Sequence, residues 1–533
     1  MHLNISIAVI PSTSSLLAIL TVAAVARESP SDAASPTGRV SYYLEIIVAG
    51  EAYMKILDVR RISESGSYGA GGEPRPAREP TYTLKATGDA AKNYDFLAAR
   101  PPGKRQTIIE ASGHLAKSAL GAGICVIHMG FKNCGLWTAF VLSIFLGLLV
   151  GYCMYVLAKS AQKAYGMSQT AEMSYPDLAQ CAFEICKFNG LKKWARAFRY
   201  CVDVTIMLDL FGACCCYQII ISKTVLDTIK HFTGNEPNLR IVILLVAIPI
   251  ILLCMIRTLK YLAPFSIVAD LVIVTVAICT VVYGIQNATY DNRSPFDMPV
   301  FTSFGKMLIF ISNCVFAMEG VGVTLPIENN MKEPKKIGLV LIYGMGIIII
   351  MVVTVGFFGY WGFGDLCQEP VTLNFPTTGF AIFLKISLAA MVWVTFALNF
   401  WVPFELAWDY IKKRHRSTEK ININNIERIY RIIFIIAITL VSVIFPDANK
   451  LVAVIGSFCL TNMGFIYPAL IELLLDWDDP GLGKMKWRLW RFLAILIFSV
   501  FVMVLGTIEG VVDLIKFLQG KTSTRESFWV DHF

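Results

Sequence analysis

Two histidines, a lysine and a Gly-Ala-Gly triplet share one short and otherwise apolar stretch, HLAKSALGAGICVIHMG, which contains His114, Lys117, Gly121, Ala122, Gly123 and His128. A second apolar stretch, FAMEGVGVTLP, carries Phe316, Met318, Glu319, Gly320, Gly322 and Pro326. Glycines in such a setting open a helix, and the freed N–H and C=O groups survive in lipid only where they line a cavity or bind something polar. A half-helix N-terminus, with its positive dipole, suits a carboxylate, and freed carbonyls suit an ammonium. Together the two breaks describe a site for an amino acid zwitterion, with Gly121 to Gly123 and Phe316, Met318, Glu319 and Gly320 as its candidate lining. Either glycine motif alone reads equally well as close helix packing; two at matched positions favour a site.

Histidine gains and loses a proton near neutrality, and an ionisable group inside a membrane is costly and functional by default. His114, His128 and Glu319 are therefore the candidate proton carriers. His114 precedes Gly121 by seven residues, roughly 10 Å along a helix, on the inner side of the break. The competing reading is a histidine that anchors a helix at the membrane surface. Lys117 is expected to pair with an acid or to snorkel, and Asp203, Asp209, Asp270, Lys385 and Glu509 read as buried partners without rank.

The elements that must hold these residues are transmembrane helices. The 533 residues are 56% hydrophobic and only 16% charged, against about 25% for soluble domains, and the mean hydropathy is +0.60. Between Lys336 and Asp365 there is no charged residue, and a run above roughly 18 such residues spans the hydrocarbon core. Runs of this kind predict an all-α polytopic membrane protein of about eleven spans. They fall near 113–133, 136–158, 199–222, 239–257, 261–286, 304–325, 337–362, 378–407, 430–446, 450–475 and 490–515. The glycine breaks fall in the first and sixth. Residues 113–286 and 304–475 then form two five-span repeats of opposite orientation, the inverted repeat of secondary transporters, with 490–515 as an extra helix.

Residues 1–92 are rich in Gly, Pro, Ser and charge and read as a largely disordered extension. Within them Ser15–Ala26 resembles a signal-peptide core without a basic leader. Lys and Arg crowd the segment before the first span, the second loop and KKRHRSTEK (Lys412–Lys420), while the loop after the seventh span holds only Asp365 and Glu369. The positive-inside rule then puts the amino end in the cytosol, and an odd span count puts the tail, 519–533, outside. The sequons at Asn287 and Asn292 fall in a loop on the outer side and are candidate glycosylation sites. The formal charge of +8 reflects these loops and not a nucleic-acid surface. Most of the 14 cysteines lie in apolar runs, where thiols act as small hydrophobes. No enzyme, phosphate-loop or metal-ligand motif appears, no cofactor is expected beyond the proton, and no ring of charges suggests a channel.

From about Tyr94 to Leu518 the chain resembles the proton-coupled amino acid transporters of the amino acid/auxin permease superfamily. The resemblance rests on HLAKSALGAG, FAMEGVGVTLPIENNMKEPKK, GYWGFGD, VTLNFP, FALNFWVPFELAW and GTIEGVVDLI. It implies eleven spans in a five-plus-five inverted repeat with helices one and six unwound, amino end inside, and proton-driven uptake of small neutral amino acids. It also implies that His114 is the proton-coupling residue and that Gly121–Gly123 and Phe316–Gly320 hold substrate. Where the family usually has proline, this chain has His128, which restores a backbone donor and adds a titratable group. An outer disulfide found in some members lacks a partner for Cys367, since 224–239 contain no cysteine. Sodium-coupled relatives share the fold, and a sensor that binds without flux is the rival from another class. The expected location is the plasma membrane, with the lysosomal or endosomal membrane as the alternative; the sequence does not specify an accessory protein.

Overall fold

The computed structural model describes residues 81–518 except 102, 104, 120, 257–262 and 416–422. The expectations for Ser15–Ala26, for the tail 519–533 and for most of the basic loop ending at Lys420 lie outside the described residues. The architecture is helical throughout, with no strand among the described residues. The principal helices are α1 (Ile108–Ala119), α2 (Ala122–Cys134), α3 (Leu136–Ser168), α4 (Tyr175–Ile185), α5 (Ala195–Thr233), α6 (Leu239–Cys254) and α7 (Ala263–Tyr290). They continue as α8 (Phe304–Ala317), α9 (Val321–Asn329), α10 (Ile337–Phe363), α11 (Gly379–His415), α12 (Ile423–Ile444), α13 (Ala448–Ile455), α14 (Tyr467–Asp476) and α15 (Trp487–Leu518).

Among the described residues, eight helical stretches are long and apolar enough to cross a membrane. The first predicted span is divided between α1 and α2. The fourth, α6, has only 16 residues and contains Pro249. The ninth, α12, carries Glu427, Arg428 and Arg431 among its apolar residues. These three segments occupy predicted span positions but fall short in unbroken length or in charge.

Where helices begin follows capping chemistry more closely than hydropathy. The first span starts at Ile108, earlier than the predicted 113, because Thr107 and Glu110 form a reciprocal cap: Thr107 N–H donates to Glu110 Oε2 (2.7 Å) and Glu110 N–H to Thr107 Oγ1 (3.4 Å). The second span runs on to Ser168, where Gln169 adopts a left-handed conformation and ends it. Residues 81–92, assigned from sequence to the disordered extension, include the helix Gly88–Lys92. Lys85 and Ala86 there donate backbone hydrogen bonds to the Met167 carbonyl. Hydropathy gave no sign of this, because it is backbone pairing that fixes the segment.

The long third span α5 lies at the centre. It packs most extensively on α11 and also against α4, α6, α12 and α13, and its middle, from Ala213 to Ser222, is buried without interruption. Helices buried all round must be apolar all round, which is why the Cys214–Cys216 triplet sits there as free, buried thiols.

Candidate functional site at two broken helices

Both predicted breaks are present. Between α1 and α2, Gly121 is extended (φ −137°, ψ −154°) and precedes Ala122, where the helix restarts. Between α8 and α9 the chain leaves the helix at Met318 and re-enters after an extended Gly320. Gly322 and Pro326, which the sequence placed in this break, lie within α9; Pro326 is its sixth residue, so the break is confined to Met318–Gly320. Each break presents the C-terminus of one half-helix and the N-terminus of the next. The unpaired carbonyls and N–H groups of those ends are thus brought to mid-span.

The two breaks touch. A side chain on Gly123 would put its Cβ 2.6 Å from Ala317 Cα, at the end of α8; only glycine permits this approach. On the other side Leu115 and Met154 pack against Gly320. Phe316 and Met318 are buried, and Glu319, flanked by buried neighbours, is only half-buried. Two side chains that the sequence did not single out complete the first break. Tyr217 of α5 directs its hydroxyl to within 2.8 Å of where a Gly121 Cβ would lie, and that hydroxyl accepts a hydrogen bond from Asn399 Nδ2 of α11 (2.8 Å). An amide inside the apolar run FALNFW was the available signal.

The ionisable candidates are dispersed. His114 lies on α1, beside Leu115. Lys117 forms an ion pair with Asp270 of α7 (3.4 Å), as the sequence allowed. The Glu319 carboxyl lies against that of Asp209 of α5, a pairing that sequence could not rank. His128 is fully buried, and its Nε2 meets the Gln368 carbonyl at 2.8 Å, so it faces the loop after α10. Asn292 is exposed in a left-handed turn, while Asn287, in the last turns of α7, donates to the Gly362 carbonyl (3.1 Å). Asp203 and Lys385 have partners, in Tyr410 (2.9 Å) and Asp227 (2.9 Å).

Polar clusters lie at both ends of the bundle. At the end where the described chain begins, the buried Arg100 guanidinium donates to Glu328 Oε2 (3.0 Å), to the carbonyls of Glu328 (3.1 Å) and Asn329 (3.2 Å), and through Nε to Ala171 O (3.0 Å). Tyr165 and Gln162 of α3 also donate to the Glu328 carboxylate. Gln106 pairs with Met331 as a parallel bridge, donating to Asn330 O (2.8 Å) and accepting from Lys332 N (2.9 Å). The segment before α1 is thereby strapped to the end of α9.

At the opposite end, Glu369 in the loop after α10 accepts from Lys223 Nζ (2.5 Å) and from the N–H groups of Ala448 (3.0 Å) and Asn449 (3.1 Å) at the start of α13. A carboxylate at a helix N-terminus is favoured by the dipole. Burial nonetheless pushes the Glu369 carboxyl above the usual carboxylate range, with Lys223 opposing that shift. Lys132 Nζ donates to Asp365 O (2.5 Å) in the same loop.

The tenth span packs on α5 and α8, and its middle is wound as π-helix at Gly456–Leu460 and Asn462–Ile466. Such wide turns mark functional positions in helices.

This geometry coincides with a family match. The model of the transmembrane amino acid transporter protein family fits residues 104–512, both breaks included. The chain belongs to that family. It is a family of transporters and not of enzymes. The chain is similar to the proton-coupled amino acid transporter-like protein pathetic of Drosophila melanogaster, with 30% identity over 435 residues, 80% of this chain and 89% of the relative. It is also similar to the amino acid transporter AVT3C of Arabidopsis thaliana, with 27% identity over 452 residues, 81% of this chain and 96% of the relative. Among solved structures, Mhp1 in its inward-facing conformation aligns with a TM-score of 0.50 at 12% identity, covering 80% of this chain and 94% of Mhp1. At that identity the likeness concerns the fold: an all-α inverted-repeat transporter architecture with broken helices one and six.

Proposed function

We propose that the protein is a secondary active transporter that carries small neutral amino acids together with protons by alternating access. The observation that carries this reading is the meeting of the two breaks, where Gly123 abuts Ala317 and half-helix ends from both repeats converge. Helix N-termini there would receive the substrate carboxylate, and freed carbonyls with Glu319 its ammonium. The lining consists of Gly121, Ala122, Gly123, Phe316, Met318 and Gly320, with Tyr217 and Asn399 limiting the size of the side chain admitted. Small neutral substrates suit a site this closely packed. In this reading the Arg100–Glu328 and Glu369–Lys223 clusters are the two gates, one at each end of the bundle.

Proton coupling is supported by the name of the Drosophila relative, a proton-coupled amino acid transporter-like protein, and by three titratable groups along the route. His114 serves the cytosolic half, Glu319 the centre, and His128, fastened to the outer loop, the outer half. In this reading there are eleven crossings, the amino end is cytosolic and the carboxyl end outside, and Asn287 and Asn292 lie on the glycosylated side. The membrane is the plasma membrane, with lysosomal or endosomal membrane as the alternative.

The test is uptake of labelled amino acids by proteoliposomes of the full chain. Accumulation against a gradient is expected when the outside is acidic, and it should collapse with a protonophore. Accumulation that follows a sodium gradient instead would reassign the coupling ion. Saturable binding without accumulation would indicate a sensor. His114→Ala should reduce the pH dependence of uptake; a pH profile identical to the wild type would remove His114 from coupling.

A further inference from the structure

We propose that Asp209 and Glu319 form a carboxyl pair that holds the coupling proton at mid-membrane while both gates are closed. This rests on the symport reading and adds to it a site on the third span.

Asp209 is completely buried in the middle of α5. Neither of its oxygens receives a donor from any described residue, and the group it touches, the Glu319 carboxyl, is another acceptor. Two carboxylates cannot stay in contact at this depth while both are ionised, because like charges repel and the fully buried Asp209 has lost its hydration. The arrangement becomes favourable when one proton lies between them, donated by one acid and accepted by the other, as in the carboxyl dyads of acid enzymes. The missing donor on Asp209 is therefore the proton itself.

The surroundings suit a proton store. The buried thiols of Cys459, from the π-helical stretch, and of Cys216, two turns further along α5, lie within electrostatic reach of Asp209. The other titratable groups nearby are already engaged: Asp203 accepts from Tyr410 (2.9 Å), and Tyr467 shares a hydrogen bond with Thr205 (3.1 Å). Lys117 is held by Asp270. Glu319 lies in the break itself and Asp209 on the helix behind it, so any movement of the α8–α9 break changes the contact between the two acids. Leu115, adjacent to His114, packs on Gly320, which links a shift of the first half-helix to the same contact. Opening toward one face lets water protonate the pair. Opening toward the other separates the acids, and the proton leaves to water as the lone carboxylate is hydrated.

The test uses the full chain in proteoliposomes with labelled alanine, glycine and proline presented together. Uptake is measured with and without a pH gradient of one unit, a gradient that supports about tenfold accumulation per coupled proton. In Asp209→Asn the ratio of the two uptakes should fall to about one, and in Asp209→Glu it should recover. This ratio does not depend on how much protein is folded. A ratio in Asp209→Asn equal to that of the wild type overturns the pair. Infrared spectroscopy gives a second reading. The wild type at neutral pH should show the C=O stretch of a protonated carboxyl, shifted in Asp209→Glu and lost in Glu319→Gln. Absence of that band in the wild type overturns the pair even if Asp209→Asn proves inactive. Should the wild type take up none of the three amino acids, the transport reading falls, and the infrared band still decides the pair.

Discussion

Replacing Arg100 by methionine should open one end of the bundle and leave the other closed. Methionine keeps the length and apolar stem of the side chain while removing the five hydrogen bonds to Glu328, Asn329 and Ala171 and the charge that faces Glu328. Glu328 is completely buried, and Arg100 is 5% exposed. Stranding one member of such a pair costs about 3–5 kcal/mol. Tyr165 and Gln162 remain as donors to the carboxylate, so the lower figure applies. In an opened form Glu328 reaches water, so the penalty falls on the closed form alone. A bias of about 3 kcal/mol is roughly a hundredfold change in the opening equilibrium. Hydrogen exchange reads it directly. Amides in 100–106 and 328–332, including the Gln106 and Lys332 N–H groups of the bridge, should exchange roughly a hundredfold faster, while those around Glu369, Ala448 and Asn449 keep their protection. Glu328→Gln should act in the same direction, and the double variant should recover part of the loss, because neither charge is then stranded. Unchanged exchange at the bridge, or an equal rise at both ends of the bundle, would refute the idea that this ion pair is a gate.

Four further outcomes follow from the same geometry. Gly123→Val should abolish transport and lower thermal stability by about 1–3 kcal/mol, because its Cβ would lie 2.6 Å from Ala317 Cα; Gly322→Ala, with nothing within 4 Å, should be tolerated in the same melting assay. Tyr217→Phe removes the hydroxyl that Asn399 holds at the first break; since one hydrogen bond is worth about 0.5–1.5 kcal/mol, KM should rise roughly two- to tenfold with little change in the melting temperature. The buried Glu369 carboxyl titrates above its unfolded value, so the folded state takes up its proton first as the pH falls from neutral toward the ordinary carboxylate range. The stability it contributes is therefore present at low pH and lost as the pH rises through the raised value; the melting temperature of the wild type relative to Glu369→Gln should increase on acidification, and a difference that shrinks would contradict the burial argument. Treatment with an N-glycosidase should sharpen the band of protein made in a glycosylating host, with Asn292→Gln removing more of the shift than Asn287→Gln, whose native amide is engaged with Gly362.

Much of the fold was legible because lipid imposes a simple rule. Any segment that crosses it must be long, apolar and internally hydrogen-bonded, and α3, α5, α10 and α15 carry that rule openly in their sequences. The breaks were legible for the same reason, since Gly121, Gly123 and Gly320 are conspicuous where a continuous helix would be the default. Segments that obey a different rule were misjudged. Residues 81–92 look like linker, yet they are ordered by backbone bonds to Met167. Gly322 and Pro326 look like breakers, yet they lie within α9, where helix geometry tolerates them.

Chemistry was less legible than architecture. Glu319 and Asp209 were both visible as acids in apolar runs, and nothing in their spacing says that they touch. Arg100, Glu328 and Glu369 sit near the ends of segments, where charge is ordinary. Which stretches had to be helical, and where two of them had to open, can be read from the residues alone, because hydropathy and glycine act locally along the chain. Which charges face each other emerged only from the packing, because Arg100 and Glu328, Lys223 and Glu369, and Asp209 and Glu319 lie on segments far apart in sequence. Their pairing follows from how those segments are brought together, not from the residues on either side.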